Sequence, residues 1–554
     1  MPETEKNQIP EQPEFLTYSS FPSGKHEGKT HFIIVGAGII GVCIAFYLTR
    51  HPKFDPKKHY ITIIESKRVA GGASGKAGGL LALWAFPQQI VPLSFQLHQE
   101  LSDEFNGEKE WGYRRLTTIS VEGDISDANL ARIKERESDP SKTTETNKDN
   151  KNSTATSTSA PTTTTTNNKD EPVVAQTETK SAPSRTKSAK QIKKNSIEIT
   201  SETTNEDGND SGVPALPKDL NWLNASVIQD WNQLGNESTT AQVHPYQFTT
   251  FILKQCILTG AVELIIGKVD DIIIDEDSGD CKGVFYYPSS AQLENSEVSE
   301  EKLELYGDQV IMSIGPWTSK ILPDCPISGL RAHSITVAPK DVDEVSPYAV
   351  FTELKLNSPD DPTPTSGSSA DGSNAGLQQQ QAKQQQTKFV SPEIYARKDE
   401  VYVCGEGDSS VLIPDTTDDV EIVTEKCDEL FKNVSKISKT IANGKILKRQ
   451  ACYLPVLDIP SSSGPLIGET NVENLYLASG HSCWGINNAP ATGLLISELL
   501  LDGEARSCDI SALNPGLYFD ASLVYDDEED SEFDEEEEGE YDDDEGEEYE
   551  SESE

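Results

Sequence analysis

The chain of 554 residues is long enough for two domains and a large buried core, yet its 35% apolar content is too low for a wholly globular protein. Its formal charge of −46 excludes a nucleic-acid binder, which needs positive charge to displace counterions from phosphates. Of that charge, 21 carboxylates with no Lys or Arg lie in residues 526–554, so the remainder is still acidic.

Nine cysteines, an odd count without a CxxC pair, suggest neither a disulfide framework nor a zinc site, and no metal is expected. They imply a reducing compartment. Residues 1–29 form a polar, Pro-containing leader that is no signal peptide. No apolar run is long enough to span a membrane, so a cytoplasmic protein is expected.

The first patterned segment, HFIIVGAGIIGVCIAFYLTR from His31, reads as strand, tight turn and helix. Gly36, Gly38 and Gly41 fit G-x-G-x-x-G: one permits the turn, one lets backbone approach a pyrophosphate, one lets helix pack on strand. The helix N-terminus offers free N–H groups to phosphates. A second strand, YITIIES, ends in Glu65, placed to accept hydrogen bonds from ribose hydroxyls. Lys67 and Arg68 follow, but the acidic residue disfavours a 2′-phosphate. The unit is therefore a dinucleotide site. The small residues of VAGGASGKAGGLLA (Val69–Ala82) let a cofactor lie against backbone, with Ser74 and Lys76 in reach of phosphate or a flavin edge.

Residues 137–212 are Ser/Thr/Lys/Asn-rich and predict a disordered insert, in which the basic run Arg185–Lys194 reads as a solvated linker. Patterning resumes with a helix after His244, expected to cap it, then strands, then the strand IMSIGPW. Residues 357–388 form a Gln/Ser-rich disordered insert. Beyond it, EIYAR puts Tyr395 and Arg397 on one side of a strand, facing a substrate. A late strand delivers Gly480, His481 and Ser482 into a turn, with a helix predicted from about Pro490–Thr492 whose N-terminus stabilises negative charge on a reduced ring. The acidic tail, 526–554, reads as disordered and solubilising, with Ser531, Ser551 and Ser553 suited to an acid-directed kinase.

VGAGIIG, GASGKAGGLLA, IMSIGPWTSKILP, RAHSITVAP and PLIGE…YLASGHSCWGINNAPATG occur in the order found in the D-amino-acid-oxidase-like FAD-dependent oxidoreductases. The chain resembles that family, which includes glycine and sarcosine oxidases, over most of its patterned length, and within it a fungal branch with long low-complexity inserts. The resemblance implies an α/β (α+β overall) fold: a Rossmann-like FAD domain, discontinuous over 30–110, 240–330 and 460–505, and an antiparallel-sheet substrate domain over 111–136, 213–239, 331–356 and 389–459. It implies FAD held by Gly36, Ala37, Gly38, Ile39, Ile40, Gly41, Glu65, Ser66, Ala73, Ser74, Gly79, Leu80, Val269, Gly315, Trp317, Gly480, His481, Gly485 and Ile486.

It further implies hydride transfer from a small amine or amino-acid-like donor to flavin N5, with His481 and Tyr395 as catalytic candidates. Arg331 and His333 are further candidates for the pocket, and Cys452 is a candidate for covalent flavin attachment. Two family cations are missing. Leu454 stands where an Arg before Pro binds a substrate carboxylate, and Val403 stands where a Lys promotes reaction with oxygen. These losses, the inserts and the tail leave an alternative. It is an FAD-binding regulatory or interaction protein of late-endosome-to-Golgi trafficking, associated peripherally with endosomal membranes. Protein partners of the tail stay open.

Overall fold

The computed structural model describes residues 19–138, 215–289, 301–341, 345–356, 388–459, 462 and 464–522. The first 18 residues, nearly all of both inserts, the basic run within the first, and the acidic tail lie outside these.

The apolar run Thr30–Val35 forms strand β1, Ile39–Arg50 forms helix α1 and His59–Glu65 forms strand β2. β1 and β2 are buried on both faces, as parallel strands covered on two sides must be. Five parallel strands run in the order Val262–Ile274, β2, β1, Gln309–Met312, Leu475–Ser479, which is the doubly wound arrangement. Antiparallel strands flank them: Cys281–Pro288 and Leu303–Tyr306 at one edge, Leu466–Glu469 at the other. Alternation divides the side chains. Phe32 and Ile34 pack against α1 and the helices Pro245–Leu258 and Gly485–Asp502, while Ile33 and Val35 pack against the antiparallel strands.

The second lobe is a sheet ordered Lys445–Leu457, Ile327–Ala338, Val401–Asp408, Glu393–Ala396, Tyr348–Lys355, Thr117–Asp124, Ile228–Gly235. Its pairings are antiparallel except Thr117–Asp124 with Tyr348–Lys355, which is parallel. One face, with Val350, Ile394, Val403 and Ile335, packs on the helix Thr424–Ile437. The other, with Phe351, Tyr395 and Tyr402, meets Leu80 of the cofactor lobe. A small antiparallel sheet, Leu80–Ala82 with Thr240–Gln242 and Arg114–Arg115, lies where the chain passes between the lobes.

Two expectations change. Residues 19–29, expected in a disordered leader, pack on the first sheet. Ser19 bridges to Ile265, the Ser23 N–H donates to Glu263 at 3.0 Å, and the His26 ring stacks on His31 at 4.4 Å. Hydrogen bonds to fixed acceptors order this polar segment where apolar burial alone would not.

The last long helix begins at Gly485, one turn before the predicted start, and holds Pro490 inside it. Pro490 has no N–H for the carbonyl of Ile486 four residues earlier. His98 supplies the missing donor, its Nε2–H reaching Ile486 O at 2.9 Å. Among the described residues no helix is long and apolar enough to cross a membrane.

Burial holds His98 neutral, lowering its pKa from 6.5 to about 4. The unfolded chain then binds more protons below pH 6.5, so this residue's contribution to stability falls as pH drops from about 6.5 to about 4. His98→Leu strands a buried carbonyl and should cost roughly 1–3 kcal/mol in urea unfolding. His98→Gln, which keeps a donor, should recover part of that loss.

Candidate functional site

The cleft opens where β1, β2 and Gln309–Met312 end at the substrate sheet. It holds about 1280 Å³ of atom-free space including its mouth. Its floor is the α1 N-terminus. A Cβ on Gly41 would lie 2.2 Å from Gly36 O, so only glycine lets α1 seat this close to the turn. Among the described residues the N–H groups of Gly38 and Ile40 have no acceptor, while that of Ile39 donates to Ser74 Oγ at 2.9 Å. Ser74 thus caps the helix from a distant turn and keeps its own hydroxyl proton for a ligand. Glu65 closes one side, accepting from Ala37 N–H at 2.9 Å and from Lys67 N–H and Ser66 Oγ at 3.1 Å. Burial raises its pKa against these bonds.

The far wall is the turn before the last helix. His481 lines the cleft. The Thr492 hydroxyl donates to Asn488 O at 3.0 Å, so His481 Nε2 is the donor in its 3.0 Å contact with Thr492, leaving Nδ1 as an acceptor. Complete burial lowers its pKa to about 3 and keeps it neutral. It therefore orients the turn and supplies no proton at neutral pH. Asn487 and Asn488 tie the helix start to Ala82 N–H at 2.8 Å and Phe86 O at 2.9 Å.

Of the residues expected at the cofactor, Gly36, Gly38, Ile39, Ile40, Glu65, Ser66, Ala73, Ser74, Val269, Gly315, Trp317, His481, Gly485 and Ile486 line the cleft. Ala37, Gly41, Gly79, Leu80 and Gly480 do not. Ala37 and Gly41 act through packing and the Glu65 bond, and Leu80 joins the apolar cluster between the lobes. Tyr395 is also outside the cleft. Its ring packs on Gly78 and stacks with Tyr402 at 5.8 Å, and its hydroxyl donates to Glu393 at 2.5 Å. Arg397 lies on the same side, as alternation requires, but its guanidinium is committed to Ala77 O, Gly78 O and Glu400.

Leu454 and Pro455 line the cleft, so the apolar residue does occupy the expected place, whereas Cys452 is not in its wall. Val403 points to the opposite face, into the core under Thr424–Ile437. Tyr402 and Cys404 flank it on the face toward the cofactor lobe. A one-residue offset in a strand exchanges the two faces. Arg331 and His333 anchor the 408–423 segment instead of reaching the cleft: Arg331 pairs with Glu421 at 2.8 Å, and His333 Nε2 accepts Val423 N–H at 3.0 Å. His244 makes no side-chain cap and faces Glu400 at 3.5 Å.

The sequence reading missed a strap. Asp415 and Thr417, from the substrate lobe, form part of the cleft wall. Asp415 pairs with Lys320 at 3.0 Å and Lys268 at 3.6 Å, Trp317 Nε1 donates to Pro414 O at 2.7 Å, and Arg68 holds Asp418 with both nitrogens of its fork. Lys320 and Lys268 hold the Asp415 carboxyl below its usual pKa.

A parallel doubly wound sheet with a glycine turn, an acidic residue ending the second strand and a covering antiparallel sheet define a two-lobe flavoprotein class. The comparisons agree. Residues 31–151 and 219–499 match the FAD dependent oxidoreductase (DAO) family model, and the chain belongs to that family. It is 48% identical to "Putative oxidoreductase TDA3" of Saccharomyces cerevisiae, over 92% of this chain and 98% of that one. It is 29% identical to "Putative oxidoreductase C1F5.03c" of Schizosaccharomyces pombe, over 88% of this chain and 97% of that one. Iminodiacetate oxidase from Chelativorans sp. BNC1 shares the fold with a TM-score of 0.51 at 15% identity, over 87% of this chain and 98% of that one. L-amino acid deaminase from Proteus myxofaciens shares it at 0.52 and 13%, over 90% and 94%. The protein is thus an oxidoreductase of the FAD-dependent class.

Arg68→Ala should release cofactor about two- to fivefold faster, as expected for losing one partly exposed forked ion pair. Recovery of flavin fluorescence on dilution reads the rate. An unchanged rate would show that the strap does not retain the cofactor.

Proposed function

We propose that this cleft binds FAD and that the enzyme oxidises a small amine or amino-acid-like donor. The observation that carries the reading is the cleft itself. A helix N-terminus with two unpaired N–H groups and the Glu65 carboxylate stand at one end, and a second helix N-terminus at Gly485 stands at the other.

Gly38 and Ile40 N–H, with the Ser74 hydroxyl, would bind pyrophosphate, and Glu65 the ribose hydroxyls. Gly485 and Ile486, at the start of the last helix, would place a positive dipole end against the ring. Bound FAD supplies a two-electron acceptor for a C–H bond next to nitrogen: C–N becomes C=N, water releases the carbonyl product, and dioxygen or another acceptor takes the electrons. The protein's part is to position the donor, to keep water out with the apolar Leu454 of the cleft wall, and to hold His481 neutral with Nδ1 as an acceptor. Cys452 stands outside the cleft wall, which supports non-covalent binding.

An anaerobic spectral screen of the purified protein against amines, amino acids and N-methyl compounds tests the reading. Bleaching of the flavin band by a nitrogen donor is expected, and readmitted air then tells oxidase from dehydrogenase. Bound FAD that no such donor reduces would overturn the donor class. A colourless protein with no affinity for added FAD would overturn the cofactor. After trichloroacetic acid precipitation all flavin should remain in the supernatant; flavin in the pellet of the wild type but not of Cys452→Ala would assign the covalent role to Cys452.

A further inference from the structure

We propose that the donor is an organic polycation, a di- or polyamine without a carboxylate, held between an acidic row and an aromatic wall on the inner face of the substrate sheet; this rests on the FAD amine-oxidation reading above.

Strand parity defines that face. Phe351, Tyr395, Tyr402 and Cys404 cluster with Leu80 of the cofactor lobe, while the intervening Val350, Ile394, Val401 and Val403 pack into the outer core. Gly405 likewise looks onto Leu430 of the outer helix. Glu393, paired directly with both Phe351 and Cys404, therefore stands on the inner face. So does Glu353, two residues beyond Phe351 in a strand whose pairing has no register shift there. Glu122 is the cross-strand partner of Glu353. Among the described residues Glu353 and Glu393 make no ion pair. Glu393 is half-buried and held in place, its Oε2 accepting from the Tyr395 hydroxyl at 2.5 Å and the Cys404 thiol at 3.6 Å.

From Glu393 an aromatic path runs to the cleft. Phe351 lies beside Glu393 across the strands and meets Trp84 edge-on at 6.2 Å. Trp84 meets Trp484 at 5.5 Å, and both sequence neighbours of Trp484, Cys483 and Gly485, line the cleft. Aromatic faces beside a carboxylate attract alkylammonium groups.

A second, independent observation points to a ligand here. Thr118 and Ser120 share the inner face with Ala349 and Phe351 and are at least nine-tenths buried, and among the described residues their hydroxyls have no partner. Gln242 is 1% exposed, and among the described residues neither atom of its amide is bonded. It sits opposite Leu80 in the small sheet, which turns it toward the same space. These hydroxyls and the amide oxygen are acceptors for ammonium protons. For a carboxylate, Leu454 is apolar and the Arg397 fork is occupied. Among the described residues the cations left near this face are Arg114, one of whose nitrogens already donates to Ala396 O, and Lys76, whose ammonium form burial disfavours.

The test uses the full-length, FAD-loaded protein. Spermidine and putrescine are titrated against sarcosine and glycine, reading perturbation and anaerobic bleaching of the flavin band, so that polyamine held by the acidic tail gives no signal. Spermidine should perturb and bleach the flavin, with an apparent Kd that rises about tenfold or more in Glu393→Gln at unchanged FAD content. A polyamine signal equal in Glu393→Gln and wild type would overturn the proposal. So would bleaching by sarcosine or glycine without a response to spermidine or putrescine, and that result would leave the FAD amine-oxidation reading standing. A protein that binds no FAD would instead remove the reading beneath it.

Discussion

The site depends on one backbone contact. α1 and the helix Gly485–Asp502 lie side by side, and a Cβ on Gly493 would fall 2.5 Å from the backbone of Cys43. Only a glycine lets these helices approach so closely. With α1 already seated on its turn by Gly41, the contact carries the position of one helix to the other. The N-terminus of each helix opens onto the same cleft. Displacing either would separate two positive dipole ends that in the proposed reading act on one extended anion.

What the sequence made legible was local. The strand, glycine turn, helix and second strand to Glu65 lie within about forty residues, and each residue type there has a direct physical task. The same holds for the turn around His481. Family motifs added the order of the lobes. The start of the last helix was misread because Pro490 suits a first turn. It became an interior residue only because His98, 388 positions away from Ile486, offers the hydrogen bond that proline cannot.

Other misses have the same origin. Val403 against Tyr402 or Cys404 is a matter of strand parity, and only the core beneath Val403 reveals which face is which. The strap joins Arg68 to Asp418 across 350 positions, and no local pattern encodes such a pair. The acidic row on the inner face is spread over Glu122, Glu353 and Glu393, which read in sequence as ordinary solvated charges. Pairing of strands from separate parts of the chain gathers them. His481 lines the cleft as its position suggested, while its Nε2 is engaged with Thr492 and burial keeps it neutral.

The strap gives cofactor retention a mechanical character. Asp415 and Asp418 belong to one lobe, and Lys268, Lys320 and Arg68 to the other. Departure of the cofactor proposed for the cleft would require the lobes to spread before any of its own contacts need break. Its residence time would then follow the stiffness of the hinge between the sheets. Whatever settles between those sheets would also lengthen it, so that an occupied donor site and a retained cofactor become two readings of one closure.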